Sequence, residues 1–522
     1  MTIDVSSPPS DTRPGKLDAG VIRIAFVVVL GAIMSILDAT VVAVAQNTFQ
    51  DTFDTTAANA AWTMTGYTLA LAAVIPISSW AAAKFGTKNV YLLSLVLFVA
   101  GSVLCAFAWS IGSLVAFRVI QGLGGGLLMP VGMMILTRAA GPGRIGSVMA
   151  VLGIPMLLGP IGGPILGGWL IQAASWHWVF LINVPIGIAA FIYALVVLKG
   201  EARIRPPRLD IPGLLLLSPG LALFLFGVSS TNAAGGTFMT TRVMVPMVVG
   251  ALLMAGFVWH AFRTPTPLLD LHLFANPRLT IAVVTMALFA IGVFGAMLLY
   301  PQYYIGVRGE TTLMAGLLVA PQGIGAMITM PIAGRMTDRI GPGRFVVAGL
   351  VLVAIGLGGF MFLGPETSYW VLGSALFVQG LGMGMTMMPT MSAALATLRP
   401  QQVPNGSTLM NVVQQTATSI GSAVISVILA NNLKEHAESG LAILSNTSPD
   451  RAAGLAGQLG IPFPLPLGLV KQGLELASSA FSHTYVVAVG LVVLTLIPAF
   501  FLPRKRIEPS ADIEEPLPVL MH

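Results

Sequence analysis

The stretch SILDATVVAVAQ, residues 35–46, sets a carboxylate, Asp38, inside an apolar run that begins at Val21. A charge of opposite sign, Arg118, stands in LVAFRVIQGLGGG, residues 114–126, with Gln121 one helical turn further on. Each charge is costly to remove from water unless it faces a partner or a polar cavity. Burial favours the neutral form of an acid, whereas a nearby guanidinium favours its anion, so a motion that changes their separation changes proton affinity. The chemistry on offer is proton binding and release. A static polar clasp between two helices is the competing structural reading.

The rest of the chain must place these residues inside a membrane. Of 522 residues, 56% are hydrophobic and 9% charged, and the mean hydropathy is +0.87. Repeated apolar stretches of about 20 residues, each able to cross ~30 Å of hydrocarbon as a helix, predict an all-α polytopic bundle, not a barrel. Cutting at polar and Pro/Gly joints gives 14 transmembrane helices, the first spanning 22–46, the fifth 145–172 and the last 483–502. The first is expected to be retained, being longer than the core of a cleaved leader. Cys105 is the single cysteine, so no intrachain disulfide is possible.

Charge tests this topology. With both termini on one side, 20 of the 26 Lys and Arg residues fall there and five on the other, leaving only Arg118 within a span. The acidic residues divide 11 to eight and leave only Asp38. That bias predicts a multi-pass protein of the cell inner membrane with cytoplasmic termini. The net charge of +6 then reflects topology, and no nucleic-acid partner is expected. Asp38 lies 17 residues from the start of its run, about 25 Å along a helix, while antiparallel helix 4 puts Arg118 about 8 Å from its outer end. The two fall at similar depth.

The sequence also repeats. QGLGGGLLMP at 121–130 returns as QGLGMGMTMMP at 379–389, and the glycines of SWAAAKFGTK and GRMTDRIGPGR are Gly86 and Gly341. Six spans recur in order, predicting two six-helix bundles with a binding site at their interface and two helices inserted between them. The expected divisions are a tail 1–20, a first bundle 21–199, inserted helices and flanking loops 200–277, a second bundle 278–503 containing an external segment 433–480, and a tail 504–522. NTSPD and IPFPLPLG in the external segment read as loop, with Leu469 to Ser479 as a short amphipathic helix.

GPIGGPILGG on the fifth span repeats Gly159, Gly163 and Gly167 every four residues, with Pro160, Pro164 and Gly168 between and beside them. Alone, such a face means close helix packing. The full G-x-x-x-G-P-x-L-G-G pattern, however, resembles the antiporter signature of drug:proton exporters in the major facilitator superfamily. LVAFRVIQGLGGG is similar to that family's helix 4 pattern, LDATVVAVA to its helix 1 motif, and Gly334, Asp338, Arg339, Gly341 and Arg344 to its cytoplasmic gate loop. Fourteen spans point to the drug:proton antiporter 2 branch, the EmrB/QacA-like multidrug efflux transporters. One departure is clear: in the first-half gate loop, Ser79, Ala83 and Lys84 replace Gly, Asp and Arg.

The resemblance implies a proton-coupled exporter of hydrophobic or amphiphilic compounds, working by alternating access without a cofactor. Asp38, Arg118 and Gln121 would couple protons, the helix 5 motif would seal against leak, and Asp338 would latch the cytoplasmic gate. Trp62, Tyr67, Tyr300, Tyr303, Gln379, Asn411, Gln414 and Gln415 are candidate pocket residues, and the 26 methionines offer adaptable apolar surface. The expected partners are protons, hydrophobic small molecules or lipids, and membrane lipid; a periplasmic adaptor is left open. A same-fold exporter of a physiological lipid, siderophore or metabolite is the alternative, followed by a channel or scramblase. An enzyme is not expected: no HExxH, Walker loop or CxxC is present, the internal histidines His177, His260, His272, His436 and His483 read as lying in or beside loops, and no metal site is expected.

Overall fold

The computed structural model describes residues 18–141, 144–200, 208–233, 237–399, 401–458 and 461–505, which contain helices and no strand. Most of the expected tails, 1–20 and 504–522, lies outside the described residues. Fourteen long helices follow one another. In the first half they are α1 (Ala19–Val44), α2 (Ala57–Val74 and Ser78–Phe85), α3 (Thr87–Ala106), α4 (Ile111–Ala140), α5 (Ile145–Ala173) and α6 (Trp178–Leu181 and Asn183–Val197). Then come α7 (Ile211–Ala233) and α8 (Thr241–Ala261). The second half holds α9 (Pro277–Met297 and Leu299–Gly306), α10 (Thr312–Ile340), α11 (Gly343–Gly358), α12 (Tyr369–Leu395), α13 (Val403–Lys434) and α14 (Leu467–Ala499). Thirteen are long and apolar enough to cross a membrane, and α5, at 29 residues, has the length to do so as well.

Helices are required because hydrocarbon offers no partner for a backbone N–H or C=O. The breaks in α2, α6 and α9 fall at or just before Pro76, Pro185 and Pro301, where a ring without an N–H clashes with the preceding turn. The repeat is visible in the backbone. Gly86 ends the second helix of the first half at φ 82°, and Gly341 ends its counterpart at φ 90°, a region essentially confined to glycine. A Cβ on Gly101 would lie 2.6 Å from Gln121 Cα, and one on Gly356 2.6 Å from Gln379 Cβ. Both α3–α4 and α11–α12 therefore pack backbone to backbone, as small residues permit where apolar burial gives no net drive.

The halves meet along two seams. At one, α5 packs on α10, where a Cβ on Gly146 would meet Gly334 O at 2.7 Å and one on Gly153 would overlap Met330. At the other, Ser78 and Thr408 share a 2.8 Å hydrogen bond between α2 and α13, and Asn411 Nδ2 lies 3.3 Å from Met133 Sδ. All these contacts lie near the end where α1 begins and α14 finishes, and they close the halves against each other there. The inserted α7 packs on both α2 and α13, covering the second seam, while α8 packs on α7 and is mostly exposed.

The external segment corrects one expectation. IPFPLPLG is loop as far as Pro466, but NTSPD falls mostly within helices Ala437–Thr447 and Pro449–Gln458, and 469–479, helical as expected, are the opening turns of α14 and not a separate short helix. The last helix starts at Leu467, not 483. Hydropathy stops at Lys471 and Glu475, but both are exposed, while Gly473, Ala477 and Ser478 are buried and Gly473 packs against Glu438 O. His483 consequently lies on an exposed face within α14 and not beside a loop.

A Cβ on Gly421 would lie 2.3 Å from Ile291 O where α13 crosses α9, whereas Gly490 has nothing within 4 Å. Gly421→Val is expected to lower stability by about 1–3 kcal/mol and Gly490→Ala to change little, measured as thermal unfolding in detergent.

Candidate functional site

Five helices of the first half converge on Asp38, which is 1% exposed. Its Oδ1 accepts from Gln121 Nε2 at 2.7 Å and from Asn183 Nδ2 at 2.9 Å, and its Oδ2 accepts from Arg118 Nη1 at 2.5 Å. Three donors thus meet on one carboxyl group, the Arg118 contact being a charge-assisted one. Arg118 is fully buried. Its Nη1 also reaches Gln121 Oε1 at 2.7 Å, its Nε donates to Thr63 O at 3.0 Å, and its guanidinium stacks 4.0 Å from the Tyr67 ring centroid. Ser102 Oγ joins the amides, accepting from Gln121 at 2.6 Å and Asn183 at 3.1 Å. Arg118 Nη2 and Asn183 Oδ1 have no hydrogen-bond partner among the described residues.

The sequence points to Arg118 as the partner of Asp38 and to Gln121 as a partner of Arg118; the bond from Gln121 to Asp38 and the parts played by Ser102, Asn183 and Thr63 come from the structure. Asn183 carried a readable signal, being an amide inside the apolar run VFLINVPIG, where a polar group is expensive. Tyr67, expected in a substrate pocket, faces the guanidinium and shares a 3.1 Å hydrogen bond with Ser35.

On another face of α1 lies the α5 glycine row. A Cβ on Gly159 would overlap Ile36, one on Gly163 would overlap Thr40, and one on Gly167 would lie 3.2 Å from Val41. Thr40 Oγ1 lies 3.1 Å from Gly159 O, a bond that ties the helices. Gly168 has nothing within 4 Å, and the side chains of Pro160 and Pro164 lie outside the described residues. The segment of α1 that carries Asp38 is therefore gripped by α5 as well as by α4.

At the closed end, Asp338 of α10 caps α5. It accepts from Gly146 N and Ser147 N, both at 2.9 Å, and from Ser147 Oγ at 2.7 Å. Helix N-termini leave such N–H groups unpaired and attract anions, and the α5 N-cap residue Arg144 makes no side-chain cap bond. Gly334 allows the close approach beside it, Gly341 turns the chain, and Arg339 and Arg344 are exposed. In the first half, Lys84 instead stacks over Trp80 at 4.7 Å.

The remaining candidate pocket residues are not gathered in one place. Trp62 stacks on Phe226 of α7 at 5.3 Å. Tyr300 donates to Gln379 at 2.5 Å and stacks on Tyr485, while Tyr303 donates to Gly364 O at 2.7 Å, all inside the second half. Asn411, Gln414 and Gln415 are half-buried on α13.

With this geometry in place, comparison with known proteins gives a consistent picture. The family model described as Major Facilitator Superfamily matches residues 28–422. The chain is 47% identical to a "Multidrug resistance protein B homolog" of Mycobacterium tuberculosis, over 94% of this chain and 92% of that one. It is 26% identical to "Lincomycin resistance protein LmrB" of Bacillus subtilis, over 87% and 90%. In fold it is similar to the human organic anion transporter MFSD10, with a TM-score of 0.57 at 16% identity, covering 90% of this chain and 99% of that one.

Arg118→Met would leave Asp38 buried without its counter-ion and is expected to cost about 3–5 kcal/mol of stability. The pair Asp38→Asn with Arg118→Met should recover much of it. Thermal unfolding of the three proteins in detergent decides the point; a single variant as stable as wild type would dispose of the buried pair.

Proposed function

The chain belongs to the major facilitator superfamily, and from that premise we propose that it is a proton-coupled multidrug exporter in which Asp38 exchanges the proton. It is a multi-pass membrane transporter and not an enzyme. The cargo in this reading is a neutral, lipophilic or singly charged amphiphile, in keeping with the multidrug and lincomycin resistance of its relatives. The membrane is the inner one, with the closed end, where α1 begins and α14 finishes, in the cytoplasm, as the charge bias favours.

The observation that carries the reading is a carboxylate buried with three donors inside the membrane-spanning bundle. Such a group binds a proton only when Arg118 and the amides withdraw, and it then becomes neutral. Opening the cytoplasmic end requires α5 to leave Asp338, breaking three hydrogen bonds. Because α5 grips Ile36 and Thr40, its displacement is passed to α1, which shifts Asp38 against Arg118 on α4. Proton affinity and the cytoplasmic gate are thereby linked through one helix. Rocking of the two halves exposes the site to one side at a time. The glycine row on α5 keeps α1 and α5 too close for ions to leak between them.

Uptake of a fluorescent amphiphile into everted vesicles tests this. Asp38→Asn should abolish accumulation driven by a pH gradient while the protein remains in the membrane, and Arg118→Lys, which keeps the charge but not the planar fork, should slow it at least about tenfold. Asp338→Asn should increase labelling of cysteines introduced on the cytoplasmic lining of α5. Full gradient-driven accumulation by Asp38→Asn would overturn the mechanism.

A further inference from the structure

Near the end of the bundle opposite the start of α1, α10 and α12 leave a cavity of about 480 Å³ between them. Leu317 and Pro321 form its α10 wall, Phe377 and Trp370 its α12 wall, and Tyr369 stands at the mouth. Tyr369 and Trp370 begin a membrane-spanning helix, and Trp370 is 90% exposed. These are the residue types that concentrate where hydrocarbon meets water. Phe377 lies seven residues deeper, about 10 Å into the hydrocarbon. Leu317 and Pro321 stand about 100° and 140° around α10 from Gly334, the centre of the stripe that meets α5. The groove therefore opens to the bilayer and not to the seam between the halves, and its occupant comes from the lipid phase.

Two opposite charges bond to Tyr369, one of the residues that line the groove. Arg308 Nη1 donates to Pro365 O at 2.6 Å and Thr367 O at 3.0 Å, and its Nε donates to Tyr369 Oη at 3.3 Å. Its guanidinium lies 4.4 Å from the Tyr369 ring centroid. The Tyr369 hydroxyl donates in turn to the Glu310 carboxylate. Arg308 forms no ion pair with a carboxylate among the described residues. A cation and an anion are thus both bonded to one tyrosine hydroxyl, each held by neutral groups, beside an apolar groove.

We propose that this groove holds a glycerophospholipid whose head carries both a phosphate and a primary ammonium. The phosphate sits at Arg308, the ammonium at Glu310, and an acyl chain runs past Leu317, Pro321 and Phe377. The complement is one of charge and of depth: both head-group charges meet their opposites at the boundary, and the chain enters where the wall is apolar. The site depends on the chain spanning a bilayer, not on proton coupling or export.

The test is native mass spectrometry of the purified full chain, delipidated and offered phosphatidylethanolamine and phosphatidylcholine of identical acyl chains. Wild type should retain phosphatidylethanolamine with a roughly two- to fivefold preference, the size expected of a partly exposed ion pair. Quaternary methylation removes every N–H donor, so Glu310→Gln should erase that preference while total binding persists. Arg308→Gln should weaken both lipids. Gly373→Leu, whose side chain would enter the groove beside Pro321, should reduce both with Arg308 intact. Unchanged thermal unfolding of Glu310→Gln and Gly373→Leu keeps the test independent of the carbonyl contacts of Arg308. Equal retention of the two lipids by wild type, a preference that survives Glu310→Gln, or undiminished binding by Gly373→Leu would overturn the proposal. So would stoichiometric displacement of the lipid by a transported amphiphile.

Discussion

A carboxylate and a guanidinium held in contact away from water constrain everything around them. Taken singly, either charge would cost more than a membrane helix can absorb; taken together, they still leave donors and acceptors to be filled. The first half answers with Gln121, Asn183, Ser102, the Thr63 carbonyl and the Tyr67 ring, drawn from α4, α6, α3 and α2. Those helices must approach to within side-chain reach, and the glycines at 101, 122 and 124 are what let α4 lie against its neighbours. The polar cluster and the small-residue packing therefore depend on each other.

The two halves share a backbone plan and differ in chemistry. Gln121 and Gln379 occupy matching places, each under a glycine of the preceding helix. In the first half the glutamine serves an ion pair; in the second it receives a tyrosine hydroxyl inside an aromatic core. The seams differ likewise. One is closed by an acid capping a helix N-terminus across the halves, the other by a neutral hydroxyl pair beneath the inserted α7. A charged cap at one seam and a covered neutral contact at the other put the charge-assisted cross-half bonds on α5, the helix that also grips α1.

The places where sequence and structure part have physical causes. Hydropathy ends a span at its first charges, so the solvent-exposed turns of α14 read as external segment; their buried small residues at 473, 477 and 478 reveal the helix only when the neighbouring helix at 437–447 is in place. Aromatic and amide residues on spans read as pocket lining because type and depth are legible, but direction is not. Trp62 turns to α7, Tyr67 to Arg118, and Tyr300 and Tyr303 into their own bundle.

The sequence by itself determined the helical class, the near-complete succession of spans, the internal repeat and the two isolated charges at equal depth. Each follows from a local or one-dimensional cost: unpaired backbone groups, transfer of apolar side chains, and the cytoplasmic bias of Lys and Arg. Only the tertiary structure decided that Asp38 and Arg118 touch, that Asn183 and Ser102 complete the cluster, and that Asp338 caps α5. Those are matters of which helix faces meet, and faces are chosen jointly by residues far apart in the chain, through packing that no single segment encodes.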